Sequence, residues 1–238
     1  MREGRRIGVV IPALDEEQAI GSVIGAIPHW ADRIVVVDNG STDRTAEIAR
    51  RAGALVVCEP QRGYGAACLA GIAQLEDTDI IVFLDADFSD HPEEMALLVD
   101  PILAGTHALV IGARVPEKGA LTPQQRCGNW LACRLMHLIW GARHTDLGPF
   151  RAIERRSLQR LAMADRNFGW TVEMQIKAAA RGLAVAEVPV RYRARIGRSK
   201  ISGTIKGTVL AACKILSTIG RLAWQTRIAQ PQTEPGGA

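Results

Sequence analysis

An α/β protein with a mostly parallel central sheet and helices on both faces is predicted by three observations in the 238-residue chain. Short, near-continuous runs of Val, Ile and Leu recur, as in strands buried on both sides. Segments with apolar residues at helical spacing alternate with them. The connections are short, which is the pattern of a sheet covered on both faces.

Residues 6–14 (RIGVVIPAL) form the first strand, and Ala19, Ile20, Val23, Ile24 and Ile27 place a helix over 16–27. Residues 33–37 (RIVVV) are a second strand that runs into Asp38-Asn39-Gly40-Ser41-Thr42-Asp43, where Ser41 or Thr42 is expected to cap a helix to Ala52. A third strand at 54–58 leads to Gly63-Tyr64-Gly65, which opens a helix to about Leu75. Ile80 to Leu84 make the central strand, Pro92 opens a helix over 92–104, and a fifth strand follows at 107–112. Residues 115–124 read as a mobile loop, and 124–141 as an amphipathic helix carrying Trp130, Leu131, Leu135, Leu138 and Ile139. An extended piece at 145–153, a helix at 168–181 and a strand at 184–190 come next. A basic Gly/Ser loop at 192–203 and a helix over about 204–224 close the ordered chain. The expected organisation is one domain over 1–203, an amphipathic helical segment over 204–229, and a disordered Pro/Gly-rich tail over 230–238.

The central strand ends in Asp85-Ala86-Asp87. Two carboxylates are costly inside a buried strand, so they belong at its C-terminal end, over a crevice. There they can hold a divalent cation that in turn holds phosphates. An isolated Asp-x-Asp is as readily a solvated turn capping the helix at Pro92. In a parallel sheet, however, Asp15 and Glu16, Asp38, Arg62 and Gly63, the Asp85/Asp87 pair and Arg114 all follow strands at the same edge. No GxGxxG or GxxxxGK[ST] follows the first strand, so phosphates are not cradled by that backbone turn. Pro12 and acidic residues stand there instead, and a metal would have to neutralise the phosphates.

The net charge of +4 is mild, but Arg191, Arg193, Arg195, Arg198 and Lys200 are clustered. Such a cluster suits phosphate or an anionic membrane. Nucleic acid is set aside, because only Tyr192 is interleaved for stacking and no binding motif is present. The odd, scattered set of five cysteines without a CxxC pair fits a reduced, cytoplasmic protein. The N-terminus reads as a strand rather than a signal peptide, and no apolar run is long enough to span a bilayer. In the helix at 204–224, Lys206, Lys214 and Arg221 fall within roughly 80° of one another at about 100° per residue. Peripheral attachment to the cytoplasmic membrane face by this helix and that at 124–141 is therefore expected, against the plainer reading that both pack on the sheet.

PALDEE, VDNGSTD, RGYGAA and LDADFSDHPE, in this order and spacing, resemble a family-2 glycosyltransferase of the GT-A (Rossmann-like) fold. The dolichyl- and polyprenyl-phosphate sugar synthases are the nearest group. The resemblance covers about residues 6–203. It implies that Pro12, Leu14 and Glu16 line the nucleotide pocket, that Asp38 binds the base, and that Gly63 and Gly65 let the backbone close on the base. It places Asp85 by the ribose and metal and makes Asp87 the direct ligand of Mg2+ or Mn2+. Asp15 stands where the family usually has Asn, and Ser89 where the polyprenyl-phosphate synthases often have Gln. IGAR, RCGN, TDLGPFRAI, GWTVEMQ and the GRSK loop extend the resemblance. They imply that Arg114, Arg126, Arg195 and Lys200 hold the acceptor phosphate, that Asp146 faces the sugar near the reaction centre, and that Trp170 and Glu173 lie on the acceptor side. Read without it, Arg126 is an exposed helix residue and Trp170 a core aromatic.

The implied reaction is inverting transfer of a hexose from a UDP- or GDP-hexose to a polyprenyl phosphate. A lipid monophosphate has a second pKa of about 6 and is already a nucleophile at neutral pH, whereas a sugar hydroxyl needs a base. Three alternatives remain open at this point. One is transfer to a saccharide or small soluble hydroxyl acceptor with Glu173 or Asp146 as base, another a nucleotidyltransferase, and the third an inactive sugar-nucleotide-binding module. His91 is expected in a turn, and His144 stays as a remote metal candidate.

Overall fold

The computed structural model describes residues 1–197 and 205–229, with the side chains of 213–225 in the second stretch. Arg198, Ser199, Lys200, the side chain of Lys206 and the 230–238 tail lie outside the described residues. Among the described residues, strands β1 (Ile7–Ala13), β2 (Arg33–Asp38), β3 (Leu55–Cys58), β4 (Ile80–Phe83), β5 (Leu109–Pro116), β6 (Arg151–Glu154) and β7 (Val185–Tyr192) form one sheet. Its order is β3-β2-β1-β4-β6-β5-β7. Only β6 runs against the rest, pairing antiparallel with both β4 and β5. The prediction of a mostly parallel sheet therefore holds, with one reversed strand set into it.

Successive strand residues face opposite sides. Val9 and Ile11 pack on one side with α1 (Ile20–Ala26) and α4 (Met95–Leu103), which follows a 3-10 turn at Pro92–Glu94. Val10, Val35 and Val37 pack on the other with α3 (Tyr64–Ile72) and α7 (Trp170–Ala180). Helix α2 (Thr45–Arg51) flanks α1. All four residues of β4 are buried, which accounts for its unbroken apolar run. After β1 the chain lays β2 and β3 to one side and then places β4 on the other. The order thus reverses at the C-terminal ends of β1 and β4, where a crevice opens in sheets of this kind.

Several expectations shift. Helix α1 begins at Ile20 rather than at Glu16. Asp15 adopts a left-handed φ of 52°, and the Glu16 N–H donates to Thr45 Oγ1 at 2.7 Å, so the first turn is not helical. Ser41 and Thr42 do not cap α2: both bond to Asp15, and Asp43 Oδ1 accepts from the Thr45 N–H instead. Strand β5 runs on to Pro116 because it pairs with β7 over its whole length, so Arg114 lies within the strand rather than after it. The expected loop at 115–124 is shortened accordingly, and a Thr122–Gln125 capping box starts α5 (Pro123–Trp140). Helix α6 (Arg155–Leu161) was not expected; it follows β6 with no breaker between them.

Helices α5, α7 and α8 (Ile205–Ala229) share a third cluster around Met136, Val172, Ile176, Ile219 and Leu222. Two basic residues of α8 have a partner that the sequence did not show. Lys214 and Arg221 lie 3.1 and 3.7 Å from the carboxylate of Asp165, whose side chain is 1% exposed. Both reach this buried carboxylate while staying partly exposed, and Leu216 and Trp224 are large apolar residues that the helix exposes. Asp165 also accepts from the Asn167 and Gly169 N–H groups ahead of α7. Removing one partner of a buried charge cluster leaves the others uncompensated. Asp165→Ala is therefore expected to lower the guanidinium-chloride unfolding midpoint by an amount equivalent to about 3 kcal/mol; an unchanged midpoint would mean that α8 is not held through this carboxylate.

Candidate active site

A cavity of about 360 Å³ occupies the crevice. The end of β1 contributes Pro12, Leu14 and Glu16, and the β3–α3 turn contributes Arg62, Gly63 and Tyr64. Asp85 and Asp87 enter from the end of β4. Asn39 closes one end, and Asn167, Phe168 and Arg195 arrive from the second half of the chain.

The acidic loop after β4 is held tightly. Asp87 Oδ1 accepts from the Ser89 N–H at 3.0 Å and from Ser89 Oγ–H at 2.5 Å. Phe88 sits at a φ of 61°, strained for a residue with a side chain. Arg193 stacks 3.6 Å above the Phe88 ring, donates to the carbonyls of Phe88 and Asp90, and receives support from its own N–H bond to the Ser89 carbonyl. The Ile196 N–H donates to the Asp87 carbonyl at 2.9 Å. Segment 193–196 is thus laced to the acidic loop.

Charge is crowded here. Burial, then the charges of Asp87 and Asp90, push the Asp85 carboxyl well above the usual carboxylate range. Burial and Asp87 raise Asp90 as well, and Asp90 Oδ1 is buried without a hydrogen-bond partner. Among the described residues Arg195 answers this crowding at Asp87: its Nη1 lies 3.2 Å from Asp87 Oδ2 and its Nη2 donates to Glu16 Oε1 at 2.7 Å. Among the described residues no set of three or more His, Cys, Asp and Glu side chains closes around a metal. The donor set nevertheless suits Mg2+ or Mn2+ arriving with a diphosphate, since such ions take one or two carboxylates and complete their shell with phosphate and water.

Asp38, expected at the base, does not line the cavity. Its Oδ1 accepts from the Ser41 N–H at 2.9 Å and closes the turn after β2, and Asn39 stands in the cavity instead. Asn39 Oδ1 accepts from the Gly63 N–H at 2.8 Å, so it also holds the β3–α3 turn. Gly63 and Gly65 have another reason to be glycine. A Cβ at Gly63 would lie 2.0 Å from the Arg166 carbonyl oxygen, and one at Gly65 would lie 2.0 Å from that of Asp165. The close approach is therefore to the 165–167 backbone, and it brings Asn167 and Phe168 into the cavity wall; Gly65 itself is not a wall residue. Sequence reasoning missed Tyr64, Asn167 and Phe168. The paired glycines were the available signal, but they do not say which segment approaches.

The residues expected on the acceptor side fall into separate settings. Arg114 donates from Nε and Nη2 to the two oxygens of Asp146, at 2.7 and 2.6 Å, and stacks on Tyr192. Burial alone would lower its pKa, but the bonds and charge of Asp146 hold it above its ordinary value. Buried Arg151 fastens the adjoining loop, donating to the carbonyls of Leu147, Gly148 and Thr171. Gln175 and Asn129 bind the same loop. Glu173 does not fit the expected catalytic role. Its buried carboxylate accepts from the Ala164 and Asp165 N–H groups, pairs with Lys177 at 2.8 Å, and does not line the cavity. Trp170 is core, packed edge-on to Phe83. Arg126 is exposed on the first turns of α5, Arg195 is turned toward the acidic loop, and Lys200 lies outside the described residues. His91 is buried beside Glu93, and His144 is 3.9 Å from Glu187.

The model of the family described as glycosyl transferase family 2 matches residues 8–162. Asn167, Phe168 and Arg195 lie beyond that match. An uncharacterised glycosyltransferase of Mycobacterium tuberculosis is 38% identical over 216 residues, which are 87% of this chain and 95% of that protein. The dolichyl-phosphate hexose transferase of Haloferax volcanii is 35% identical over 209 residues, 86% of this chain and 90% of that protein. Among solved structures, glucosyl-3-phosphoglycerate synthase of M. tuberculosis, in complex with Mn2+, UDP-glucose and phosphoglyceric acid, is similar with a TM-score of 0.76. It is 27% identical, with 93% of this chain and 80% of that chain covered.

The glycine geometry is directly testable. Gly65→Ala is expected to cost about 1–3 kcal/mol of stability, because its Cβ meets backbone rather than a movable side chain. Gly25→Ala, where nothing lies within 4 Å, is expected to be neutral or slightly stabilising. Equal unfolding midpoints for the two variants would contradict the close approach.

Proposed function

The chain belongs to glycosyl transferase family 2, and on that premise we propose that it moves a hexose from a nucleotide diphosphate sugar, with Mg2+ or Mn2+, to a polyprenyl phosphate. A bound divalent ion would supply neutralisation of the departing diphosphate. Asp87 and Asp85 are the residues that would hold it. Gly63, Tyr64, Asn39, Asn167 and Phe168 form the walls that would enclose the nucleoside. Pro12, Ala13 and Leu14 line the same cavity. Displacement from the opposite face of the anomeric carbon gives inversion.

One observation carries the choice of acceptor. The two carboxylates considered as general bases are both engaged, Asp146 in a two-point pair with Arg114 and Glu173 in buried bonds to backbone. A hydroxyl acceptor needs a base, and a phosphate dianion does not. The dolichyl-phosphate hexose transferase similarity supports this reading, and α5 adds to it. That helix buries Ala132, Cys133 and Met136, yet exposes Trp130 and Leu138 by 63% and 64%, with Leu131 and Ile139 beside them. It contains Arg126 and Arg134 and no acidic residue. An outward stripe of this chemistry suits an anionic bilayer surface. No helix among the described residues is long and apolar enough to cross a membrane. On the strength of this α5 face we read attachment as peripheral, on the cytoplasmic side of the membrane.

The structural likeness to glucosyl-3-phosphoglycerate synthase favours a second reading, transfer to a soluble acceptor. Incubation with labelled UDP-glucose or GDP-mannose, Mn2+ and either a short polyprenyl phosphate or 3-phosphoglycerate separates them. Label is expected in the organic phase, with nucleoside diphosphate released and with Asp87→Asn inactive. Label only in the soluble acceptor would overturn the lipid reading. For α5, Trp130→Glu with Leu138→Glu is expected to cut sedimentation with phosphatidylglycerol vesicles several-fold; undiminished binding would remove this face from the membrane contact.

A further inference from the structure

Arg195 occupies the place in the cavity where positive charge is needed. Its guanidinium bridges Glu16, from the loop after β1, and Asp87, from the loop after β4. Both carboxylates are nearly buried, at 8% and 6% exposure. Its Nε is buried and has no hydrogen-bond partner. The fork is therefore only partly satisfied, although a guanidinium matches two-oxygen acceptors such as carboxylate and phosphate. Its backbone is anchored close by, since the Ile196 N–H donates to the Asp87 carbonyl and Arg193 grips the loop. With the backbone so held, a shift of the guanidinium from Asp87 toward an incoming ligand would be a change of side-chain rotamer.

We propose that Arg195 is a specificity-determining counter-ion. It competes with free divalent cation for Asp87 and yields only when the cation arrives with a diphosphate that can receive the guanidinium. The cavity would then favour the metal–diphosphate complex over metal alone. This rests on the assignment of Asp87 as a metal ligand in the reading above. Two consequences have opposite signs. Without Arg195, Asp87 loses its competing cation, so metal alone binds more tightly. The diphosphate loses a partner, so nucleotide binds more weakly. A residue that only supports the loop would weaken both when removed.

The experiment titrates the full chain with Mn2+ alone, followed by electron paramagnetic resonance, and with UDP at saturating Mn2+, followed by calorimetry. Wild type, Arg195→Gln, Arg195→Lys and Asp87→Asn are compared. Arg195→Gln is expected to bind Mn2+ about fivefold more tightly, the scale of one partly exposed ion pair, and UDP at least tenfold more weakly. Arg195→Lys should lie between Arg195→Gln and wild type for both ligands. Loss or no change of Mn2+ affinity in Arg195→Gln, or unchanged UDP affinity, overturns the proposal. Mn2+ binding that is unaffected by Asp87→Asn, or absent from the wild type with and without UDP, instead overturns the metal assignment on which it rests.

Discussion

Carboxylates crowded at the end of a buried strand require positive charge, and much of this molecule is arranged around that need. β4 is buried along its whole length and delivers Asp85 and Asp87 to the crevice at its C-terminal end. Burial and the neighbouring carboxylates raise the cost of keeping Asp85 ionised and push its carboxyl above the usual range. In the protein alone, among the described residues, Arg195 supplies it at Asp87. In the proposed reaction it is a divalent ion, with the arginine turned to phosphate. The strained Phe88 turn and the grip of Arg193 hold the acidic loop in place.

The rest of the fold serves this spot by bringing distant chain segments to one edge of the sheet. The reversal of strand order between β1 and β4 opens the crevice. Gly63 and Gly65 admit the 165–167 backbone, so a loop from the second half becomes a wall of the cavity. Asp165, in that same loop, is paired with Lys214 and Arg221 of α8. The last helix and the cavity wall therefore share a buried charge. On the neighbouring side, Arg114, Arg151, Gln175 and Asn129 together hold the Asp146 loop. This is a rigid support, with its charges already matched, more than a reservoir of free bases.

Much of this was legible in the sequence because it follows from local rules. Apolar runs marked the strands, and the motif order gave the family that the comparisons then bore out. Both Asp85 and Asp87, along with Pro12, Leu14, Glu16 and Gly63, do line one cavity. What escaped depends on pairing at long range. No local pattern reveals that β6 reverses between β4 and β5, or that Asp165 approaches Gly65. Helical periodicity located α5 but not its inner face. Ala132, Cys133 and Met136 turn inward, while Trp130 and Leu138 stay outside. The basic residues of α8 were legible as a stripe, but not that Lys214 and Arg221 share the buried carboxylate of Asp165.

The most direct measurement of the central claim is anomalous X-ray diffraction at the manganese edge from crystals grown with Mn2+ and UDP. A single strong peak is expected within coordination distance of the Asp87 carboxylate and beside Asp85, with the Arg195 guanidinium moved off Asp87 onto a phosphate oxygen. A peak at another place, with Arg195 still bridging Glu16 and Asp87 while nucleotide is bound, would contradict it.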